Sequence, residues 1–193
     1  MIRIERVTVA DAPELVSIYG PYVTDTAISF EYVIPTVEEF AERIKDISSR
    51  LPYIKAVEYD DDEESGRILG YAYAAPFKWR KAYDWSVETT IYLRADYKGK
   101  GLGRRLYEVL EESLRGMGIL NMNACIAVPS GDDDPYLTDG SQRFHERMGF
   151  RLVGTFTNSG YKLNRWYDMI WMEKMLGEHC AEQPEPRFGE WDI

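Results

Sequence analysis

Two stretches of this chain hold residue types whose spacing could do chemistry. The run Lys98-Gly99-Lys100-Gly101-Leu102-Gly103-Arg104-Arg105 links a strand-like alternation to a helical one. Glycines let backbone approach an anion closely, and a helix start behind them offers unpaired N–H groups at a positive dipole end, so a pyrophosphate is the natural guest. A purely structural turn would use glycine as well. Two nucleotide patterns fail on spacing: Leu102 stands where a P-loop needs Ser or Thr, and Arg104 stands where a Rossmann turn needs its third glycine, with Asn121 and Asn123 in place of its acidic residue. The second stretch is residues 85–93, where Trp85, Val87, Thr89, Ile91 and Leu93 share one face and Ser86, Glu88, Thr90 and Tyr92 the other. Glu88 falls mid-strand. Desolvation there raises a carboxylate toward neutrality, the range of a general base, while a Glu paired structurally with a nearby cation fits the same pattern.

The elements around these stretches follow from periodicity and caps. A strand is expected over residues 2–9. Thr8 opens a helix with Asp11 reaching back as a capping-box variant, and Leu15, Ile18, Tyr19 and Tyr22 form its buried stripe. Thr36 with Glu39 opens a second helix, to about Arg50. Strands at 53–59 and 67–77 flank an acidic run at 60–66 that reads as a solvated hairpin tip. After the glycine turn, Leu102, Leu106, Leu110 and Leu114 mark a helix that ends near Gly118. A strand over 119–128, an acidic loop over 129–140, a short helix over 141–148 closed by Gly149, and strands at 152–156 and 165–174 complete a β-α-α-β-β-β-α-β-α-β-β order, a mixed α/β fold. Beyond Gly177 an extended tail is expected, with Phe188 and Trp191 able to dock.

Composition narrows the partners. At 193 residues, 45% hydrophobic and 29% charged, the chain suits one domain, read as 1–176, with a tail at 177–193. Its 23 Lys and Arg against 33 Asp and Glu give a net charge of −10, which repels nucleic acid and anionic lipid. With no apolar run near the ~20 residues of a membrane helix and no signal-like N-terminus, a cytoplasmic protein without a membrane role is expected. Two cysteines and two histidines support neither a disulfide framework nor a metal site. The local basic cluster of Lys100, Arg104 and Arg105 in an acidic chain points to an anionic ligand rather than a polymer, and solvated helix-end charges fit the same pattern.

The pattern Lys98-Gly99-Lys100-Gly101-Leu102-Gly103 after a strand, with Ser141-Gln142-Arg143-Phe144-His145-Glu146-Arg147-Met148-Gly149-Phe150 downstream, resembles the coenzyme A loop of the GNAT N-acetyltransferase superfamily. Ile28-Ser29-Phe30-Glu31-Tyr32, Ala75-Pro76-Phe77-Lys78-Trp79-Arg80-Lys81-Ala82-Tyr83 leading to Glu88, and Gly160-Tyr161-Lys162 with Arg165-Trp166-Tyr167-Asp168 are similar to its phosphinothricin acetyltransferase-like branch. The resemblance implies a mostly antiparallel sheet of about seven strands, flanked by helices, in which the fourth and fifth strands, those at 85–93 and 119–128, splay apart. It also implies acetyl-CoA as cosubstrate, a homodimer, and direct transfer of acetyl to the amine of a small amino acid or its toxic analogue. It makes Glu88 the base and gives His145 either the orientation of the cofactor or protonation of the leaving thiolate. Cofactor contacts are implied for the backbone of Ile91, Tyr92 and Leu93, for Lys98 to Arg104 (Lys98, Gly99, Lys100, Gly101, Leu102, Gly103, Arg104), and for Ser141 and Phe144. Acceptor contacts are implied for Phe30, Lys78, Arg80, Tyr83, Lys162 and Trp166. No covalent intermediate is expected, because Cys125 should point into a packed strand. Two departures stand out: Lys98 where Gln or Arg is usual, and an acidic loop placing Thr138 or Asp139 where an Asn would touch the cofactor arm. A polyamine, an aminoglycoside or a protein N-terminus as acceptor, and a non-catalytic acyl-CoA-binding module, are the alternative readings.

Overall fold

The computed structural model describes residues 1–59, 66–129, 131 and 133–193; the acidic run at 60–65 and positions 130 and 132 of the acidic loop lie outside the described residues. The elements are β1 (Ile2–Arg6), α1 (Ala12–Thr24), α2 (Val37–Ser48), β2 (Tyr53–Glu58), β3 (Arg67–Pro76), β4 (Ser86–Leu93), α3 (Leu102–Met117), β5 (Asn121–Val128), α4 (Gly140–Arg147), β6 (Arg151–Lys162) and β7 (Arg165–Met175). The strands form one sheet in the order β1-β2-β3-β4-β5-β7-β6. Every neighbouring pair is antiparallel except β4 and β5, which run parallel and pair only through Ser86↔Asn121, Val87↔Met122 and Glu88↔Asn123. Past Glu88 the two strands separate.

Helices cover both faces. On one, α1 and α2 bury Leu15, Ile18, Phe40 and Ile44 against Tyr53, Val57, Ile68 and Tyr71; on the other, Leu106, Leu110 and Leu114 of α3 pack on Ile54, Ala72, Val87 and Met122. Alternation along β4 therefore puts Val87 and Thr89 on the α3 side and Glu88 and Thr90 on the α1 side. The α2 cap forms as the sequence dictates: the Glu39 amide donates to Thr36 Oγ1 (3.1 Å) and Glu39 Oε2 accepts from the Thr36 amide (2.8 Å). At Thr8 the Asp11 carboxylate accepts from both the amide (2.7 Å) and the hydroxyl (3.0 Å), and a short 3-10 turn precedes α1.

Two elements differ from expectation. β1 stops at Arg6, three residues early. β6 runs on to Lys162, past the expected end at Phe156, through a register shift between Phe156 and Gly160, with Asn158 at φ 48°. The turn into β7 is Leu163-Asn164, both at positive φ (51° and 59°), a twist that suits a two-residue hairpin. Among the described residues no helix is long and apolar enough to cross a membrane.

Candidate active site

The separation of β4 from β5 is the origin of the site. The Arg94 amide donates to Leu69 O (2.8 Å), toward β3. Alternation then turns the amides of Leu93 and Ile91 to the opposite, unpaired edge and that of Tyr92 inward to β3. Tyr92 therefore contributes no free amide to the cleft, contrary to expectation, and its ring packs on Tyr19 and Tyr22 (4.9 Å to each centroid). The Leu93 amide donates to Tyr22 Oη (3.3 Å), which leaves that of Ile91 as the donor facing the gap.

Beyond the gap lies a cavity of about 540 Å3 lined by Ile91, Leu93, Lys98, Gly99, Gly101, Gly103, Arg104, Thr138, Ser141 and Phe144, among others. Gly99 and Gly101 adopt φ of +76° and +80°, the left-handed region that glycine favours, and Gly101 is the N-cap of the 16-residue α3. Gly103 serves differently: a Cβ there would lie 3.2 Å from the Phe144 ring, so its absence lets α4 close onto the helix start. The first turn of α3 thus brings backbone N–H groups to a cavity that the Lys98 and Arg104 side chains also line, an arrangement able to hold an anion. Besides Tyr92, two expected contacts do not line this cavity. Lys100 lies over the Tyr97 ring (4.6 Å), and Leu102 is buried in the core. In the acidic loop Thr138 reaches the cavity, while Asp139 pairs with Arg143.

A second cleft, of about 370 Å3, passes through the gap itself. From the α1 side it is lined by Ser29, Phe30, Glu31, Glu88 and Cys125, and from the α3 side by Thr89, Tyr107 and His145. Burial raises the Glu88 carboxyl above its ordinary value, and the Lys78 ammonium opposes the rise. His145 is 3% exposed. Its Nδ1 lies 2.8 Å from the Ser141 carbonyl, which can only accept, so Nδ1 carries the proton; Nε2 then accepts from Tyr107 Oη at 2.9 Å. Burial pushes the imidazole down to about 4, so the ring is neutral at pH 7 with no proton on Nε2. Tyr107 Oη is also 3.3 Å from Thr89 Oγ1, which donates to Asn123 O (3.2 Å) across the last paired rung of β4 and β5.

A family model described as an acetyltransferase (GNAT) domain matches residues 4–171. The chain belongs to the GNAT acetyltransferase family. It is 36% identical over 166 residues to a phosphinothricin N-acetyltransferase of Streptomyces coelicolor, covering 86% of this chain and 91% of that one. It is 32% identical over 170 residues to an L-methionine sulfoximine/L-methionine sulfone acetyltransferase of Pseudomonas aeruginosa, covering 87% and 91%. A phosphinothricin acetyltransferase from Sinorhizobium meliloti, solved in complex with acetyl-CoA, superposes with a TM-score of 0.81 at 32% identity, covering 95% of this chain and 92% of that one. The protein is therefore a GNAT enzyme, and its seven-strand mixed sheet belongs to a fold it shares with solved relatives.

Within this GNAT enzyme the expected acceptor residues divide. Phe30 lines the cleft beside Glu88. Lys78 does not line the cleft: it is exposed, over the rings of Phe77 and Trp171 (5.1 and 5.9 Å), close enough to Glu88 to act on its charge. Lys162 is not presented to an acceptor: it is 2% exposed and its ammonium donates to the Ser29 carbonyl, holding the segment that carries Phe30. Arg80, Tyr83 and Trp166 do not line the cleft. Arg80 and Tyr83 lie on the 77–85 loop, and the Trp166 ring packs at a tilt against that of Tyr161 (5.0 Å between centroids) at the β6–β7 turn. Cys125 is a further correction: its position on β5 shares a face with Glu88, so it lines the cleft instead of the core, where burial pushes its thiol up to about 11. Tyr107 went unrecognised in the sequence, although its i+4 spacing from Gly103 placed it on the buried face of α3 one turn behind the glycine.

Proposed function

We propose that this enzyme transfers acetyl from acetyl-CoA directly to the primary amine of a small amino-acid-like acceptor, of the phosphinothricin, methionine sulfoximine or methionine sulfone type. The observation that carries the reading is Glu88: a half-buried carboxylate of raised pKa at the point where β4 leaves β5, in a cleft that adjoins an anion cradle. The residues fit acetyl-CoA, because the positive-φ glycines and the start of α3 suit a pyrophosphate and the cavity of about 540 Å3 leads to the Ile91 amide.

Acetyl-CoA, when bound, supplies a thioester whose carbonyl carbon is the electrophile. The protein does the rest. An amine of pKa about 8 to 10 must lose a proton before it attacks, at a cost of roughly 1–5 kcal/mol at pH 7, and Glu88 takes that proton. The Ile91 amide, fixed by the β3 ladder, stabilises developing negative charge on a carbonyl oxygen. On the opposite wall Tyr107 Oη holds a proton against His145 Nε2, so His145 works by positioning Tyr107 and not by donating to the thiolate itself. Cys125, with its raised pKa, is no nucleophile at neutral pH, which supports transfer without an acyl-enzyme.

We extend the proposal to a cytoplasmic homodimer joined through β6. That strand is a sheet edge with Leu152, Val153 and Phe156 more than half exposed, a combination that invites pairing with a second copy. Light scattering after gel filtration reads the mass directly. The activity test is release of CoA thiol from acetyl-CoA with phosphinothricin, methionine sulfoximine, methionine sulfone, a polyamine and an aminoglycoside as separate acceptors. Turnover with the first three and not the last two is expected; turnover with the polyamine alone would overturn the acceptor class.

A further inference from the structure

The tail beyond the family match packs along one end of the sheet. Its far part is anchored: Trp191 is 7% exposed under the Arg6 guanidinium (4.1 Å), Ser113 Oγ donates to Asp192 O (2.7 Å), and the Arg187 amide donates to Met117 O (2.8 Å). Its middle part meets the 77–85 loop. Trp85 Nε1 donates to Pro184 O (2.7 Å) and Lys81 Nζ to Glu185 Oε1 (2.7 Å). Arg50 lies over Phe188 (4.2 Å) and 3.9 Å from Asp84, and its carbonyl accepts from the Gly189 amide (2.9 Å).

That loop needs support. Residues 78–83 are exposed, and its only regular structure is a three-residue 3-10 turn, Lys81–Tyr83. Its inner side rests on Phe77, which meets Trp171 (5.4 Å) and Tyr83 (5.9 Å), and it carries Lys78 over the Phe77 and Trp171 rings, near enough to Glu88 to act on its charge. The tail segment is stiff before it binds, since Pro184 and Pro186 fix φ on either side of Glu185 and restrict the residues before them to extended conformations. A stiff segment tied at three points and anchored beyond them holds a loop in place at little entropic cost.

We infer that residues 184–188 are a positioning strap for the acceptor side of the site: they hold the 77–85 loop against the sheet so that Lys78 keeps its place over the Phe77 and Trp171 rings. The inference deepens the acetyl-transfer reading and rests on it for its kinetic consequence. Because the Lys81–Glu185 pair is exposed, it adds little to global stability, and the strap can be slackened without unfolding the chain.

The test uses full-length protein with Pro184→Gly and Glu185→Ala combined, which keeps the Trp191 anchor, and separately Trp85→Phe, which removes one donor. Hydrogen exchange reads the loop directly through the amides of Arg80, Tyr83 and Asp84, which donate to Lys78 O, Arg80 O and Lys81 O. Faster exchange of these amides in the double variant is expected, with exchange of α3 unchanged. Kinetics give the second readout: the KM for a turned-over acceptor rises at least about threefold while that for acetyl-CoA stays within about twofold. Unaltered loop exchange would overturn the strap, as would an equal rise in both KM values. If the wild type acetylates none of the acceptors, the function reading fails and loop exchange alone decides the strap.

Discussion

At the start of α3 the anion cradle is made of backbone: two glycines at positive φ, the free amides of a helix end, and one missing Cβ where Phe144 closes in. The proposed acceptor side brings together side chains from separate elements, among them Phe30 before α2, Glu88 on β4, Cys125 on β5, Tyr107 on α3 and His145 on α4, with Lys78 after β3 outside the lining. Backbone sites tolerate side-chain change and are selective for charge. Side-chain sites set chemistry and fail at single atoms, so substitutions in the two regions should separate cleanly.

The largest effect belongs to the acceptor side. Glu88→Gln should lower kcat at pH 7 by about 10²–10³-fold, or about 3–4 kcal/mol, with the deficit narrowing at alkaline pH as the amine loses its proton unaided. Calorimetry should show acetyl-CoA affinity unaltered; a loss independent of pH would move Glu88 out of the role of base. Next comes His145. Its folded pKa of about 4 lies below the unfolded value, so the stability it confers is complete above pH 6.5 and is lost as pH falls toward 4, a difference of about 3 kcal/mol. Urea unfolding at pH 7 and 4.5 should show that fall in the wild type and a flatter profile in His145→Gln.

On the cradle side, Gly101→Ala places a Cβ at φ +80°, in open space but in a backbone region that costs about 1–2 kcal/mol. The KM for acetyl-CoA should rise about tenfold and that for the acceptor should not move; a matching rise in both would show that the two regions are not independent. The smallest effect is a shift of profile. Lys78→Met removes the charge that opposes Glu88 desolvation, so the acid limb of kcat should move to higher pH with the plateau kept. An unmoved limb would place Lys78 outside the field of the base.

The same contrast explains what could be read from sequence. The cradle, its helix and the alternation that puts Glu88 opposite Val87 are local: they depend on residues within one or two turns of each other, and their spacing states them outright. The acceptor side depends on separations of tens of residues. No local pattern shows that His145 meets Tyr107, 38 residues away, or that Lys162 reaches Ser29, 133 residues away, and so turns from a substrate contact into a brace. Cys125 was misread because an apolar run suggests burial on both faces, whereas the neighbour it needs on one face has moved away. The expected end of the sixth strand at Phe156 falls short because the long ladder to β7 carries β6 through a register shift to Lys162.

The gap between β4 and β5 opens toward both helical layers, so for the reaction proposed above the two reactants have separate doors. Neither must leave before the other enters, and neither product blocks the other's exit. In steady-state terms this gives double-reciprocal lines that intersect and not lines that run parallel, with a complex of all three partners as the species that reacts.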